Sequence, residues 1–268
     1  MKSFLLDLHI HTAASDGTDS PYELLNKIQK SGIKIFAVTD HDTINGALET
    51  QKIFNDTNIK FIKGIEFSTR IEKSGAKCHI LGLNYNENHP AFINVLKAGN
   101  KLRHEKFYKR LELLHKNFNI NFTDLEIENL LKIPSVGKPH LGNLIVAKGF
   151  ADTRAQAIEN FIDKCSTGND KLEADFVINS INSSGGISVW AHPLGGERES
   201  ELPEDKFQNT LKDLISFGVK GLECYYSKYN FQKCTWLALQ ADCNNLLISG
   251  GSDYHGSNKD IPLGKLNA

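Results

Sequence analysis

Short apolar runs recur along this chain, and stretches with helical patterning lie between them. Phe4–Leu8, Ile33–Val38, Lys60–Ile65, Cys78–Leu83, Ile187–Trp190, Val219–Cys224 and Leu246–Ser249 read as strands, with a turn around Ser74-Gly75. Strands that alternate with helices imply a largely parallel sheet with covered faces. Ser20-Pro21-Tyr22-Glu23 has the form of a capping box with proline at the first helical position, and Gly32 closes that helix. Further helices are predicted from about Asn45 to Asn55, over 204–216 and over 230–243. Seven such strands suit a closed or nearly closed barrel, which carries its chemistry at the C-terminal ends of the strands. A doubly wound open sheet is the competing architecture, but no glycine-rich phosphate loop supports it.

The middle of the chain differs. From about His89 to Gly168 it is mostly helical and lysine-rich, and Thr153-Arg154-Ala155-Gln156 is another capping box. The expected organisation is a barrel built from 1–88 and 169–268, with an α-helical insertion over 89–168 covering its mouth.

A length of 268 residues suits one large α/β domain with such an insertion, and 40% hydrophobic with 24% charged residues is ordinary for a globular protein. The 31 basic and 32 acidic residues leave a net charge of −1. No global field therefore attracts nucleic acid or an anionic membrane, and a polyanionic substrate must be held by local charge. The five cysteines (Cys78, Cys165, Cys224, Cys234, Cys243) include no Cys-x-x-Cys pair, which reads as buried thiols in a reducing compartment. No apolar run approaches the ~20 residues of a membrane span, and the N-terminal run breaks at Asp7, too early for a signal peptide. A cytoplasmic location is expected.

The chemistry gathers at the strand ends. Residues i and i+2 of an extended strand point the same way, so His9 and His11 converge on one point. Asp16 follows them. Thr39-Asp40-His41-Asp42 follows the second run, Gly64-Ile65-Glu66 closes the third, and His79 opens the fourth. Ala191-His192-Pro193 and Gly251-Ser252-Asp253-Tyr254-His255 follow later runs. Six of the ten histidines therefore lie at strand ends. Imidazole with carboxylate and no thiolate suits Zn²⁺, Mn²⁺ or Fe²⁺. Six histidines and three carboxylates (Asp16, Glu66, Asp253) exceed one ion's needs and suffice for two or three. Metal pairs about 3.5–4 Å apart suit displacement at phosphorus, where a bound water becomes hydroxide at neutral pH. Asp40 and Asp42 flank His41; orienting it, as supporting carboxylates do, is one reading, and the sequence assigns them no definite role.

These motifs resemble those of the polymerase and histidinol phosphatase (PHP) family, and the resemblance spans essentially the whole chain. It is strongest to stand-alone phosphoesterases with a helical insertion, which act on nucleoside 3′,5′-bisphosphates and in some members on the 5′ ends of short RNAs. The resemblance implies a distorted (β/α)7 TIM-like barrel with an inserted α-helical subdomain, and a three-ion site of Mn, Fe or Zn. It implies one ion on His9, His11, Glu66 and Asp253, a second on Glu66, His79 and His192, and a third on Asp16, His41 and His255. It also implies that Gly137-Lys138-Pro139-His140 and Arg103, one of five arginines, meet the substrate phosphate. A guanidinium fork matches a phosphate, and His140 is placed to protonate the leaving oxygen. Asp253, His140 and Arg103 are thus the candidate catalytic residues, and Arg103, Lys138 and His140 the candidate substrate contacts. Arg198, in the loop after His192, has no assigned role.

The function expected is hydrolysis of a phosphomonoester, foremost the 3′-phosphate of a nucleoside 3′,5′-bisphosphate, with 5′-to-3′ exonuclease action on short oligoribonucleotides as a related activity. The expected partner is a small phosphorylated substrate; no long nucleic-acid groove and no membrane are expected. Histidinol phosphate is the rival substrate within the class. Metal-dependent amide hydrolysis shares the His-x-His strand end, but there a carboxylated lysine commonly bridges the ions, and here Glu66 stands in the bridging position. A non-catalytic metal-binding module is the third reading.

Overall fold

The computed structural model describes residues 6–168, 171–196 and 200–266. Arg198, residues Phe4 and Leu5 of the first expected strand, and position 169 at the expected insertion boundary lie outside the described residues. The first strands, β1 (Leu6–Asp7), β2 (Ile35–Val38) and β3 (Lys60–Arg70), pair in parallel. β4 (Lys77–Leu83) then runs antiparallel to β3 and to β6 (Ile187–Ala191), while β7 (Gly221–Tyr226) and β8 (Leu247–Gly251) restore the parallel order. A short β5 (Leu172–Glu173) extends the far end of β3. Leu8 N–H donates to Gly250 O at 3.0 Å and Asp253 N–H to His9 O at 2.8 Å, so β8 returns to β1 and the sheet is a nearly closed barrel.

The reversed β4 is the distortion in the barrel. The turn at Ser74-Gly75 is too short for the crossover that a parallel neighbour needs, and Gly75 takes a positive φ of 69° to make it. Reversal puts the beginning of β4 at the rim where the other strands end. His79 therefore reaches the site from the start of its strand. Strand β3 also runs further than the sequence pattern indicates, to Arg70, so Glu66 lies within it.

Helices α1 (Pro21–Ser31), α2 (Asn45–Ile53), α7 (Ala174–Ser183), α8 (Glu204–Ser216) and α9 (Phe231–Cys243) connect the strands. The Ser20 hydroxyl caps Glu23 N–H and the Glu23 carboxylate caps Ser20 N–H, closing the α1 capping box. Ala37, Leu81, Leu83, Val189 and Ala191 form a buried cluster joined by Leu8, Ile62 and Ile187. It draws on four strands and on Leu8 just after β1, and fills the barrel.

Between β4 and β5 the chain forms α3 (Pro90–Phe118, 29 residues), α4 (Asp124–Leu131), α5 (Lys138–Ala147) and α6 (Arg154–Ala157), the last continuing as a wider turn over Ile158–Ile162. Thr153 caps α6 as its sequence indicates. A separate apolar core, including Phe107, Leu114, Leu141 and Ile145, lies wholly within this helical stretch. The first turns of α3 instead join the barrel-side core through Phe92 and Val95. All five cysteines are free; four are buried and Cys243 on α9 is exposed. Among the described residues no helix is long and apolar enough to cross a membrane.

Closure of the barrel at β8 depends on Gly251. A Cβ there would lie 2.6 Å from His9 N and against the His9 Cβ. Gly251→Ala must therefore displace β1 or β8. The expected loss is about 1–3 kcal/mol in urea unfolding, accompanied by a perturbed His9 imidazole resonance in NMR spectra.

Candidate metal centre

At the rim of the barrel six imidazoles and three carboxylates meet. Each arrives where its local backbone dictates. His9 and His11 follow β1, His41 follows β2, His192 follows β6, and Asp253 and His255 follow β8. Glu66 sits inside β3, with His79 on the neighbouring β4 paired to Ser68. Among the described residues, the non-glycine positions with positive φ are three asparagines plus Asp42 (51°), His192 (30°) and Asp253 (58°). Asparagine, aspartate and histidine enter this region more readily than other side chains, and three of these positions lie where the titratable groups gather.

Glu66 is the centre. Its Oε2 lies 3.2 Å from His9 Nε2 and 3.1 Å from both His11 Nε2 and His41 Nδ1. Its Oε1 lies 2.8 Å from His79 Nδ1 and 3.1 Å from His192 Nε2. Asp253 Oδ1 approaches His9, His11 and His255 at 3.6, 3.4 and 3.4 Å. Asp16 Oδ1 lies 3.1 Å from His255 Nε2, and Asp16 Oδ2 lies 4.0 Å from His41 Nε2. Three groups could each hold an ion: His11, Asp16, His41 and His255; His9, His11 and Asp253; and His41, Glu66 and His79. The grouping differs in detail from that implied by the resemblance: His11 and His41 each serve two groups, and Glu66 reaches all but His255 among the six histidines.

The donor atoms fit divalent ions. His9 Nε2, His11 Nε2, His41 Nδ1, His255 Nε2, Asp16 Oδ1 and Glu66 Oε2 are buried without a hydrogen-bond partner. Buried polar atoms normally have one, and here all face one another. Nitrogen and carboxylate oxygen without thiolate is the donor set of Zn²⁺, Mn²⁺ and Fe²⁺. Charge makes the same demand. Burial pushes Glu66 toward the neutral acid, but His41, His9 and His79 hold its carboxyl well below the usual range. Asp16 and Asp253 are likewise held down against burial, Asp16 by His255 and His41, Asp253 by Lys259 and His255. Burial would lower His9 and His11, yet Glu223, Glu66 and Asp253 raise His9 well above the ordinary range, and Asp253 and Glu66 raise His11 to about 9.

Supporting residues complete the site, and some were not evident in the sequence. Buried Glu223 on β7 accepts from His9 Nδ1 at 3.0 Å and from His192 N–H at 2.6 Å. The first contact leaves His9 Nε2 as the free donor atom facing the cluster. Its sequence signal is a lone charge in the apolar run Gly221-Leu222-Glu223-Cys224. Lys259 Nζ reaches Asp253 Oδ2 at 2.6 Å, and Tyr226 donates to the same oxygen at 3.1 Å. The hydrogen-bond partners of Asp40 and Asp42 lie away from His41. Asp40 turns toward the loop after β1, accepting from Thr12 N–H (2.8 Å), Thr12 Oγ1 (2.7 Å) and Ser15 Oγ (2.6 Å). Asp42 accepts from Ser68 N–H at 3.2 Å and from the Arg103 guanidinium.

The helical stretch faces the cluster across a cleft of about 660 Å³ that reaches Asp16, His41 and His79. Lys77, Arg103, Lys106, Arg110, Lys138 and Lys171 contribute to its walls. Arg103 is anchored by Asp42 and donates to Val136 O at 3.4 Å. Lys138 pairs with Asp163. His140 Nδ1 accepts from Gly137 N–H at 2.9 Å, and burial lowers its pKa, so the ring is neutral at pH 7.

A family model described as PHP domain matches residues 7–169, more than half of the chain. A 5′-3′ exoribonuclease from Haemophilus influenzae is 31% identical over 97% of this chain and 93% of its own length. A phosphoribosyl 1,2-cyclic phosphate 1,2-diphosphodiesterase from Eggerthella lenta is 26% identical, covering 96% of both chains. A 3′,5′-nucleoside bisphosphate phosphatase from Chromobacterium violaceum is 23% identical over 96% of this chain and 92% of its own. Among solved structures, one assigned as a metal-dependent phosphoesterase from Bifidobacterium adolescentis superposes with a TM-score of 0.82 at 25% identity, over 98% of this chain and 92% of its own.

Two predictions arise from this geometry. His11 is raised from 6.5 to about 9 in the folded metal-free protein. Its stabilising contribution is therefore complete below pH 6.5 and lost as pH rises through about 9. Metal must displace that proton, so apparent Mn²⁺ affinity should rise across pH 6.5–9, and calorimetry in buffers of different ionisation enthalpy should register proton release. Glu223→Ala strips His9 Nδ1 and His192 N–H of their acceptor. Metal affinity measured by equilibrium dialysis should fall roughly 10- to 100-fold.

Proposed function

The chain belongs to the PHP domain family and is a metal-dependent phosphoester hydrolase, and from that premise we propose that its substrate is a nucleoside 3′,5′-bisphosphate, hydrolysed at the 3′-phosphate. The observation that carries this reading is the adjacency of two features: the histidine–carboxylate cluster around Glu66, and a cleft of nucleotide size with basic walls opening onto it. Ligand sites for small molecules commonly measure about 300–1,000 Å³. The near-zero net charge is no obstacle, because six lysines and arginines line the cleft.

The proposed ligands of two to three divalent ions (Mn, Fe or Zn) are His9, His11, Asp16, His41, Glu66, His79, His192, Asp253 and His255. When bound, such ions activate water and neutralise phosphoryl oxygens. The chain's own residues supply the rest. Arg103, fixed by Asp42, presents its guanidinium to the reacting phosphate. His140, neutral and held at the start of α5, orients it, and Lys138 stands near the cleft mouth. The lowered pKa of His140 favours hydrogen bonding over proton delivery at pH 7. In this proposal 1–88 and 169–268 form the catalytic barrel, and 89–168 its helical cover.

A second reading, 5′-to-3′ removal of nucleotides from short oligoribonucleotides, draws on the activity of the Haemophilus influenzae relative. Turnover with Mn²⁺ over nucleoside 3′,5′-bisphosphates, mononucleotides, short oligoribonucleotides, histidinol phosphate and an amide panel separates these readings. The expected result is the highest kcat/KM on bisphosphates. Higher kcat/KM on oligoribonucleotides moves the assignment to the second reading, and amide cleavage without phosphoester cleavage overturns both. Asp253→Asn and His192→Ala should each lower kcat/KM by more than the roughly 10- to 100-fold typical of a residue that only supports a ligand.

A further inference from the structure

The loop that carries Asp16 is gripped from two sides. On the barrel side Asp40 holds Thr12 and Ser15. On the other side the helical stretch contacts Ala14 and Ser15 of the same loop directly and reaches Asp16 through one intermediary. Ser135 N–H donates to Ala14 O at 3.0 Å, and the His140 ring hydrogen-bonds the Ser15 backbone. The third contact, to Asp16 itself, passes through an intermediary. Arg154 on α6 donates from Nη1 to Asn258 Oδ1 and from Nη2 to Asn258 O at 2.9 Å. Asn258 Nδ2 in turn donates to Asp16 O at 2.6 Å.

The direction of this relay is set by chemistry. A guanidinium can only donate, so Arg154 requires the Asn258 carbonyl oxygen to face it. The Asn258 amide nitrogen must then face the Asp16 backbone, where it finds a carbonyl. The segment that carries Asn258 is itself tied to the cluster. His255 precedes it, and Lys259 follows it and contacts Asp253. A residue of the helical stretch is thereby linked, through one intermediary, to the backbone of a residue whose carboxylate lies at the rim of the barrel, across 242 positions of sequence between Asp16 and Asn258.

We propose that Arg154 is a positioning residue that, through Asn258, sets the affinity of the ion held by Asp16, His41 and His255. The inference rests on the metal-centre reading above. It adds that docking of the helical cover and filling of this one sub-site are linked, so that each favours the other.

The test counts bound ions. Mn²⁺ stoichiometry and affinity are measured by equilibrium dialysis with elemental analysis for the wild type, Asp16→Asn, Arg154→Ala, Arg154→Lys and Asn258→Asp. Asp16→Asn identifies which equivalent belongs to this sub-site. Asn258→Asp is the sharpest variant: it keeps an oxygen for Arg154 but replaces the donor to Asp16 O with a second acceptor. It should weaken that one equivalent by about tenfold or more and leave the remaining ions at wild-type affinity. Arg154→Ala should do the same, with Arg154→Lys intermediate. Wild-type affinity in Asn258→Asp overturns the proposal, and so does uniform weakening of every ion. If Arg154→Ala does not fold, Asn258→Asp decides. Should Asp16→Asn lose no equivalent, the metal role of Asp16 fails, and this inference fails with it.

Discussion

A carboxylate buried among imidazoles is the constraint on which this molecule turns. Glu66 lies on the central strand of the site and meets five histidines within 3.2 Å. Removing a carboxylate from water costs several kcal/mol unless charge or hydrogen bonds compensate. Here the compensation comes from rings whose own nitrogens are also buried. Neither side is satisfied alone, and positive charge has to enter the cluster. The barrel is arranged around this need: its parallel strands deliver histidines from their C-terminal ends, and its one reversed strand delivers His79 from its beginning.

The layers around the cluster serve geometry. Glu223 fixes the tautomer of His9 and also holds the backbone of His192, which has a positive φ. Asp40 and Asp42 divide their work: one ties down the loop before Asp16, the other anchors Arg103 from the helical stretch. A metal-dependent phosphoester hydrolase needs water, ions and phosphate held in register, and misplacement of about 1 Å can be costly. The contacts that supply this register run between segments distant in sequence. The helical stretch has its own apolar core and supplies one wall of the cleft.

Much of this was legible beforehand, for identifiable reasons. The strand runs at Ile35–Val38, Ile187–Ala191 and Gly221–Tyr226 carry their own apolar signal, and the capping boxes at Ser20 and Thr153 are closed by residues three apart. Most of the nine candidate residues could be named because they lie in or just after a strand run, where side chains alternate by a simple period. The length of β3 and the two-residue β5 were not legible, since the far end of β3 is held by pairing with β4 and β5, and β5 exists only through pairing with β3. The directions of Asp40 and Asp42 were not legible for the same kind of reason. Adjacency to His41 in sequence gives no direction to a side chain at the end of a strand, and each turned to a partner at least 25 positions away.

What the sequence by itself determined is therefore the inventory: strands and helices in order, an inserted helical stretch, and a set of histidines and acids suited to divalent ions. Periodicity, caps and residue chemistry are local properties, and they survive without knowledge of the fold. The tertiary structure alone decided the connections: that Glu66 stands at the centre, that Glu223 and Lys259 belong to the site, and that Arg103 and Arg154 reach the rim through Asp42 and Asn258. Such contacts join residues separated by tens to hundreds of positions, and only closure of the barrel and packing of the helical stretch against it bring them within hydrogen-bonding distance.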